Sequence, residues 1–140
     1  MMKRLFSWFF VLLLCAFATQ EGSAKKRIKD KKMQAAIYAG KQFKTERITV
    51  KADSIQIDYC INESCSHFIS WMFSLKEIGQ IQLLQEEGNF FIRFDCLAAD
   101  CVRPPMGTIY SPKKNYDLYV TDKEQGIKLL RLLLKYKKQF

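Results

Sequence analysis

Residues 69–96, ISWMFSLKEIGQIQLLQEEGNFFIRFDC, decide the fold. Ile69, Trp71, Phe73 and Leu75 fall on one face of an extended chain, with Ser70 and Ser74 on the other. Residues 76–79 interrupt that alternation, and Ile81 and Leu83 resume it against Gln80 and Gln82. Glu86-Glu87-Gly88-Asn89 is a hairpin turn, because Gly and Asn accept the left-handed backbone that tight turns need. Phe90, Ile92, Phe94 and Cys96 then alternate with Phe91, Arg93 and Asp95. A two-residue apolar period marks half-buried strands, so this stretch reads as consecutive antiparallel strands.

The same period extends outward. Upstream, Ile48 and Val50 alternate with Arg47, Thr49 and Lys51; Ala52-Asp53 breaks the run; Ile55, Ile57 and Tyr59 alternate with Gln56 and Asp58; and Asn62-Glu63-Ser64 makes a turn. Downstream, Pro104-Pro105 and Gly107 bar a central strand, since proline removes a ladder donor. Thr108–Tyr110 is predicted as a short edge strand, residues 112–115 as a turn, and Tyr116, Leu118 and Val120 as the last strand. Thr121-Asp122-Lys123-Glu124 fits a capping box with Thr121 at the N-cap. Ile127, Leu130, Leu134 and Lys137 follow at helical spacing, with Leu129, Leu133 and Tyr136 broadening the stripe. Lys135, Lys137 and Lys138 complement the negative end of that helix. The pattern predicts about seven short strands and one C-terminal amphipathic helix.

The N-terminus has a different logic. Met1-Met2-Lys3-Arg4 is basic, residues 5–18 (LFSWFFVLLLCAFA) carry no charge, and Ala16 and Ala18 supply small residues. That order reads as a secretory signal over residues 1–18, cut after Ala18 or as late as Ala24. The run is shorter than the twenty or so residues of a spanning helix. An uncleaved membrane anchor is the alternative, and lipidation at Cys15 a third. Residues 19–44 form a basic linker, partly helical or disordered, and residues 45–140 the domain. Lys25, Lys26, Arg27, Lys29, Lys31 and Lys32 make the linker a basic tail, and positive charge there resists translocation.

The formal net charge is +9. Such a balance invites anionic lipid, acidic glycan or nucleic acid, and export disfavours the last. Once Cys15 leaves with the signal, the remaining cysteines form two C-x4-C pairs, Cys60/Cys65 and Cys96/Cys101. In an exported chain they read as disulfides, with a structural zinc site competing. His67 lies close to Cys65, but nothing in the sequence orients its imidazole, and no metal, nucleotide or hydrolase motif is present. Asp58, Asp95 and Asp100 are separated carboxylates, and Trp71, Phe73, Phe90 and Phe94 read as core. No cofactor is implied, and the chain is expected not to be an enzyme.

Strands followed by one helix resemble the pleckstrin-homology-like (PH-like) barrel, especially small bacterial forms. The resemblance is carried by Phe73-Ser74-Leu75-Lys76-Glu77-Ile78 leading into Ile81 and Leu83, and by Thr121–Leu130. It lacks the usual helix tryptophan and the basic motif of the first hairpin. It implies a meander whose turns alternate between two ends, which places the cysteine pairs at opposite ends and so pairs Cys60 with Cys65 and Cys96 with Cys101. It also gathers Lys51, Lys76, Lys113 and Lys114 at one end, as a rim able to hold anions. The expected function is an exported, non-enzymatic binding or scaffold module for an envelope or extracellular protein. The alternative is a membrane-peripheral module that holds anionic lipid or glycan through the basic tail and the lysine-rich end.

Overall fold

A computed structural model describes residues 27–43 and 46–140. The expected signal, its cleavage sites, Cys15, Lys25 and Lys26 lie outside the described residues. The chain runs through helix α1 (Asp30–Gly40), strands β1 (Arg47–Lys51), β2 (Ser54–Cys60), β3 (Phe68–Ser74), β4 (Ile78–Glu86), β5 (Asn89–Cys96) and β6 (Asn115–Val120), and helix α2 (Lys123–Lys137). The strands form two antiparallel sheets, β1-β2-β3 and β4-β5-β6. The described residues thus form six strands in two sheets, not the closed barrel of about seven strands that was expected.

The expected strand at Thr108–Tyr110 is absent. Val102 and Arg103 instead make isolated bridges to Lys113 and Met72. Arg103 exchanges both backbone bonds with Met72, at 2.9 and 2.8 Å. One residue, Arg103, thus pairs with the free edge of β3 at Met72. At the other edge of that sheet, Gln34 Oε1 of α1 accepts the Val50 N–H at 3.1 Å. Both edges of the first sheet are blunted without further strands.

The alternating residues became the core as their period dictates. Ile55, Ile57, Phe73, Leu75, Ile92, Phe94 and Leu118 are all buried. The β4–β5 turn has Glu87 and Gly88 at φ 50° and 82°. Two successive positive φ values give the primed turn whose twist suits a two-residue hairpin. Phe91, read as outward-facing, is buried too. Its ring lies 5.4 Å from that of Tyr119, which in turn meets Phe43 at 5.8 Å. The segment after α1 covers that outer face, as the Gln42 N–H bonding to the Tyr119 carbonyl shows.

The expected linker, read as partly helical, contributes a helix to the core. Residues 30–40 form three turns of helix, and Met33 and Ile37 are fully buried in the same core as the strands. They lie four apart on one face, with Gly40 completing it against Leu129. In α2 the N-cap is Asp122, not Thr121, and Asp122 Oδ1 accepts the Gln125 N–H at 2.9 Å. Thr121 bonds to the Gly40 carbonyl at the end of α1 instead. The fully buried stripe is Gly126, Leu129, Leu133 and Tyr136, while Leu134 is exposed.

Candidate functional site

Cys60 pairs with Cys65 and Cys96 with Cys101, with Cα–Cα distances of 5.0 and 5.7 Å. The first pair brackets the β2–β3 connection, at the far end of its sheet from the Ala52-Asp53 turn. The second opens the β5–β6 connection beside residues 75–77, where the Leu97 N–H bonds to the Glu77 carbonyl. The four sulfurs therefore do not converge, and no metal-holding cluster occurs among the described residues. Two disulfides fit an oxidising compartment outside the cytosol. No helix among the described residues is long and apolar enough to cross a membrane.

His67 sits beside the first disulfide. Its Nδ1 lies 3.0 Å from Ser66 Oγ and 3.5 Å from Asn62 Nδ2. Asn62 Oδ1 also accepts the Ser66 N–H at 3.1 Å, so this cluster shapes a turn. Cys65 is held in its disulfide, which leaves no thiolate beside the imidazole to attack a substrate.

The other end of the first sheet gathers charge. Strand β1 ends in Lys51, the β3–β4 turn carries Lys76, and the segment entering β6 Lys113 and Lys114. Backbone bonds tie these turns together: Leu75 N–H to the Asp53 carbonyl, Leu97 N–H to Glu77, and Cys96 N–H to Lys114, each at 2.8 Å. The Ser74 hydroxyl bonds to the Asp53 carboxylate across the same junction. Lys51, Lys76 and Lys114 are exposed. Lys113 is engaged differently, its Nζ lying 4.0 Å from the centre of the Trp71 ring. Arg103 forms a two-pronged pair with Glu77, at 2.8 and 2.5 Å. That guanidinium holds the Glu77 carboxyl below its usual range.

Both helices bring their charged termini to the same end. Asp30, the first residue of α1, accepts the Ala52 N–H at 2.9 Å through Oδ2. The hydroxyl of Tyr136, near the end of α2, lies 2.8 Å from Asp30 Oδ1 and 2.6 Å from the Ala52 carbonyl. Those bonds, the Ala52 N–H first, hold the Asp30 carboxyl below its ordinary value. Lys137 Nζ donates to the Ile78 carbonyl at the start of β4. The Ile28 N–H bonds to Gln139 Oε1 at 2.7 Å, closing the entering chain onto α2.

This clasp opens a groove of about 690 Å³ lined by Arg27, Ile28, Arg131, Leu134, Lys135, Lys138 and Gln139. Four cations surround a floor made by Ile28, Leu134 and the aliphatic stems of the long side chains. Arg27 also lies 5.8 Å from the Phe140 ring centre. Of the tail residues, Arg27, Lys29, Lys31 and Lys32 are exposed on or just before α1.

No family model, curated protein or solved structure matches the chain.

The groove had no signal in the sequence. Lys135 and Lys138 read as partners of the helix dipole, and Arg27 as part of a solvated tail. What joins them is the contact between Ile28 and Gln139, which are 111 residues apart.

Proposed function

We propose that this protein is an exported, non-enzymatic binding module that engages an array of anionic groups, phosphate or carboxylate, through its basic end. The observation that carries this reading is the groove, where Arg27 meets Arg131, Lys135 and Lys138. Exposed Lys29, Lys31 and Lys32 lie beside Arg27 at the start of α1, and exposed Lys51 precedes Ala52, which bonds to Asp30 and Tyr136. Like charges held close raise the local potential and draw in an anionic partner. Their mutual repulsion disfavours such clustering unless something of opposite sign relieves it. A protein partner adding a strand is favoured less, because Arg103 interrupts the β3 edge at Met72 and Gln34 the β1 edge at Val50. The strand order followed by α2 is what supports a PH-like ancestry, which remains part of the proposal.

The test is binding of the protein to phosphatidylglycerol-containing vesicles and to immobilised heparin, across a range of salt. Binding to either is expected to weaken steeply with salt, because the charges are exposed. Each cation near an anionic surface contributes about 1 kcal/mol. Reversing Arg131, Lys135 and Lys138 to Glu should therefore weaken binding by at least about a hundredfold. These side chains are exposed, so thermal stability should hold. Salt-insensitive binding, or a triple variant that binds like wild type, would overturn the proposal.

A further inference from the structure

Of the outer strands β1, β3, β4 and β6, all but β4 are interrupted by another segment. Gln34 accepts the Val50 N–H at the edge of β1, and Arg103 pairs with Met72 at the edge of β3. At the edge of β6, Lys41 bridges Val120 and the Gln42 N–H bonds to the Tyr119 carbonyl at 2.8 Å. The turn at Glu87-Gly88 tells which backbone groups of β4 face outward. A two-residue primed turn makes Glu86 and Asn89 the hydrogen-bonded closing pair. Bonded and non-bonded pairs alternate along an antiparallel ladder, so Leu84, Gln82 and Gln80 bond to β5. Ile81, Leu83 and Gln85 therefore turn their N–H and C=O groups away from it. The Cys96 N–H bonds to the Lys114 carbonyl, which sends the even residues of β5 to β6 and leaves the odd ones to β4, as this parity requires.

Among the described residues, nothing bonds to those outward backbone groups. Residues 79–85 (GQIQLLQ) hold no charge and no proline, the devices that commonly keep an edge from pairing. The bulge lies only at the Ile78–Gln80 end, where Lys137 Nζ also donates to the Ile78 carbonyl. Helix α2 runs beside this edge. One side of it, with Gln125, Leu129 and Leu132, meets α1. The other meets β4, where Lys137 reaches Ile78 and a Cβ added to Gly126 would lie 2.6 Å from Leu83 Cδ1. At about 3.6 residues per turn, Ile127 and Leu130 share the side of Lys137. Both are only half-buried.

We infer that β4 pairs antiparallel with β4 of a second copy of this chain, joining two three-stranded sheets across a two-fold axis at Leu83. With Leu83 opposite Leu83, Ile81 meets Gln85 of the second copy, and each outward N–H of Ile81, Leu83 and Gln85 finds a carbonyl. Moving the axis to Gln82 or Leu84 would set one of the three against the bulge or the turn. On the outer face Gln80 then meets Glu86 of the second copy and Gln82 meets Leu84, so no like charges are opposed. The contact is isologous and closes on itself. Because Gly126 packs on Leu83, the axis also draws the Gly126–Leu130 turn of each α2 toward its counterpart. An extended peptide would satisfy the same backbone groups but bring nothing to cover Ile127 and Leu130, whereas a second copy brings its own.

The experiment is sedimentation velocity on the full chain in a Cys15→Ser background, from low to high micromolar concentration, with amide deuterium exchange on the same samples. A reversible dimer is expected, and the amides of Ile81, Leu83 and Gln85 should exchange more slowly as concentration rises. Gln85→Pro deletes an outward N–H, spares the bonds to β5 and should weaken the dimer about tenfold or more. Position 80 reads the register. Gln80→Glu faces Glu86 of the second copy and should weaken the dimer, while Gln80→Lys should strengthen it. A net charge of +9 acting alone would give the reverse order. Gln80 is exposed, so these two variants decide the matter even where Gln85→Pro fails to fold. A chain that stays monomeric throughout would overturn the inference and leave the edge to a different protein. A dimer that a folded Gln85→Pro does not weaken, or whose position-80 variants follow net charge, would put the contact elsewhere and overturn it as well.

Discussion

Replacing Tyr136 with Phe removes one hydroxyl from a fully buried side chain. That hydroxyl is shared between the Asp30 carboxylate at 2.8 Å and the Ala52 carbonyl at 2.6 Å. Hydrogen bonds to charged groups contribute about 1.5–3 kcal/mol. Asp30 is half-exposed and keeps the Ala52 N–H, so water recovers part of the loss. The net cost is expected to be about 2 kcal/mol, or a fall of about 8 °C in melting temperature for a domain of this size. Circular dichroism during urea and thermal unfolding measures it. A double-mutant cycle with Asp30→Ala should give a coupling of about 1 kcal/mol or more, since the two groups touch.

The same contact sets a pH signature. The Asp30 carboxyl is held below its ordinary value of 3.8, so its contribution is present above that value and lost as pH falls through the lower folded value. Burial, and then Asp30, push the Tyr136 hydroxyl up from 10.0, so its contribution is present below that value and lost as pH rises through the folded one. The difference between wild type and Tyr136→Phe should therefore be flat between about pH 4 and pH 10 and shrink outside that window. A cost below about 0.5 kcal/mol, or additive single variants, would mean that α1 is not docked against α2 in solution. The groove would then lose the contact that forms it.

Two other perturbations probe the scaffold. Lys41 is fully buried, donates to the Phe43 carbonyl and lies 3.9 Å from Glu46, whose carboxyl burial already holds above its ordinary value of 4.5. Lys41→Met removes the cation that restrains that rise, and a raised carboxyl loses its stabilising contribution as pH climbs through the folded value. The variant should thus lose more stability relative to wild type at pH 7 than at pH 4, and equal losses in urea titrations at the two pH values would refute the coupling. Gly88→Ala places a side chain at φ 82°, with no neighbouring atom within 4 Å to compensate, and should cost about 1–2 kcal/mol by equilibrium unfolding.

The elements legible in the sequence were those whose signal is local. Glu87-Gly88 and the strands around it follow from period two and turn chemistry, which act within a few residues. Helix α2 was readable as an element but not in its exact orientation. Leucines at 129, 130, 132, 133 and 134 spread around it, and the sheet chose Leu129 and Leu133 for the core while Leu134 reached the groove. Thr121 fits a capping box, yet its hydroxyl and N–H turn to the Gly40 carbonyl, and Asp122 takes the cap. Helix α1 was legible only as a partly helical linker, because it buries few side chains, Met33 and Ile37 chief among them. Its docking rests on Asp30 reaching Ala52 and Tyr136, groups 22 and 106 residues away. The expected edge strand at 108–110 failed for a related reason. Its neighbourhood is organised by a disulfide and two bridges rather than by alternation.

The clasp between Asp30 and Tyr136 also orders the events of folding. A chain synthesised from its N-terminus makes α1 first, and Tyr136 follows Asp30 only 106 residues later. Contacts of such long separation form late, after the intervening loop has been closed by other structure. Until then the Asp30 carboxylate and the basic lead remain in water, and α1 has nothing to dock on. The nascent protein therefore lacks this clasp until the six strands between α1 and α2 have all been made.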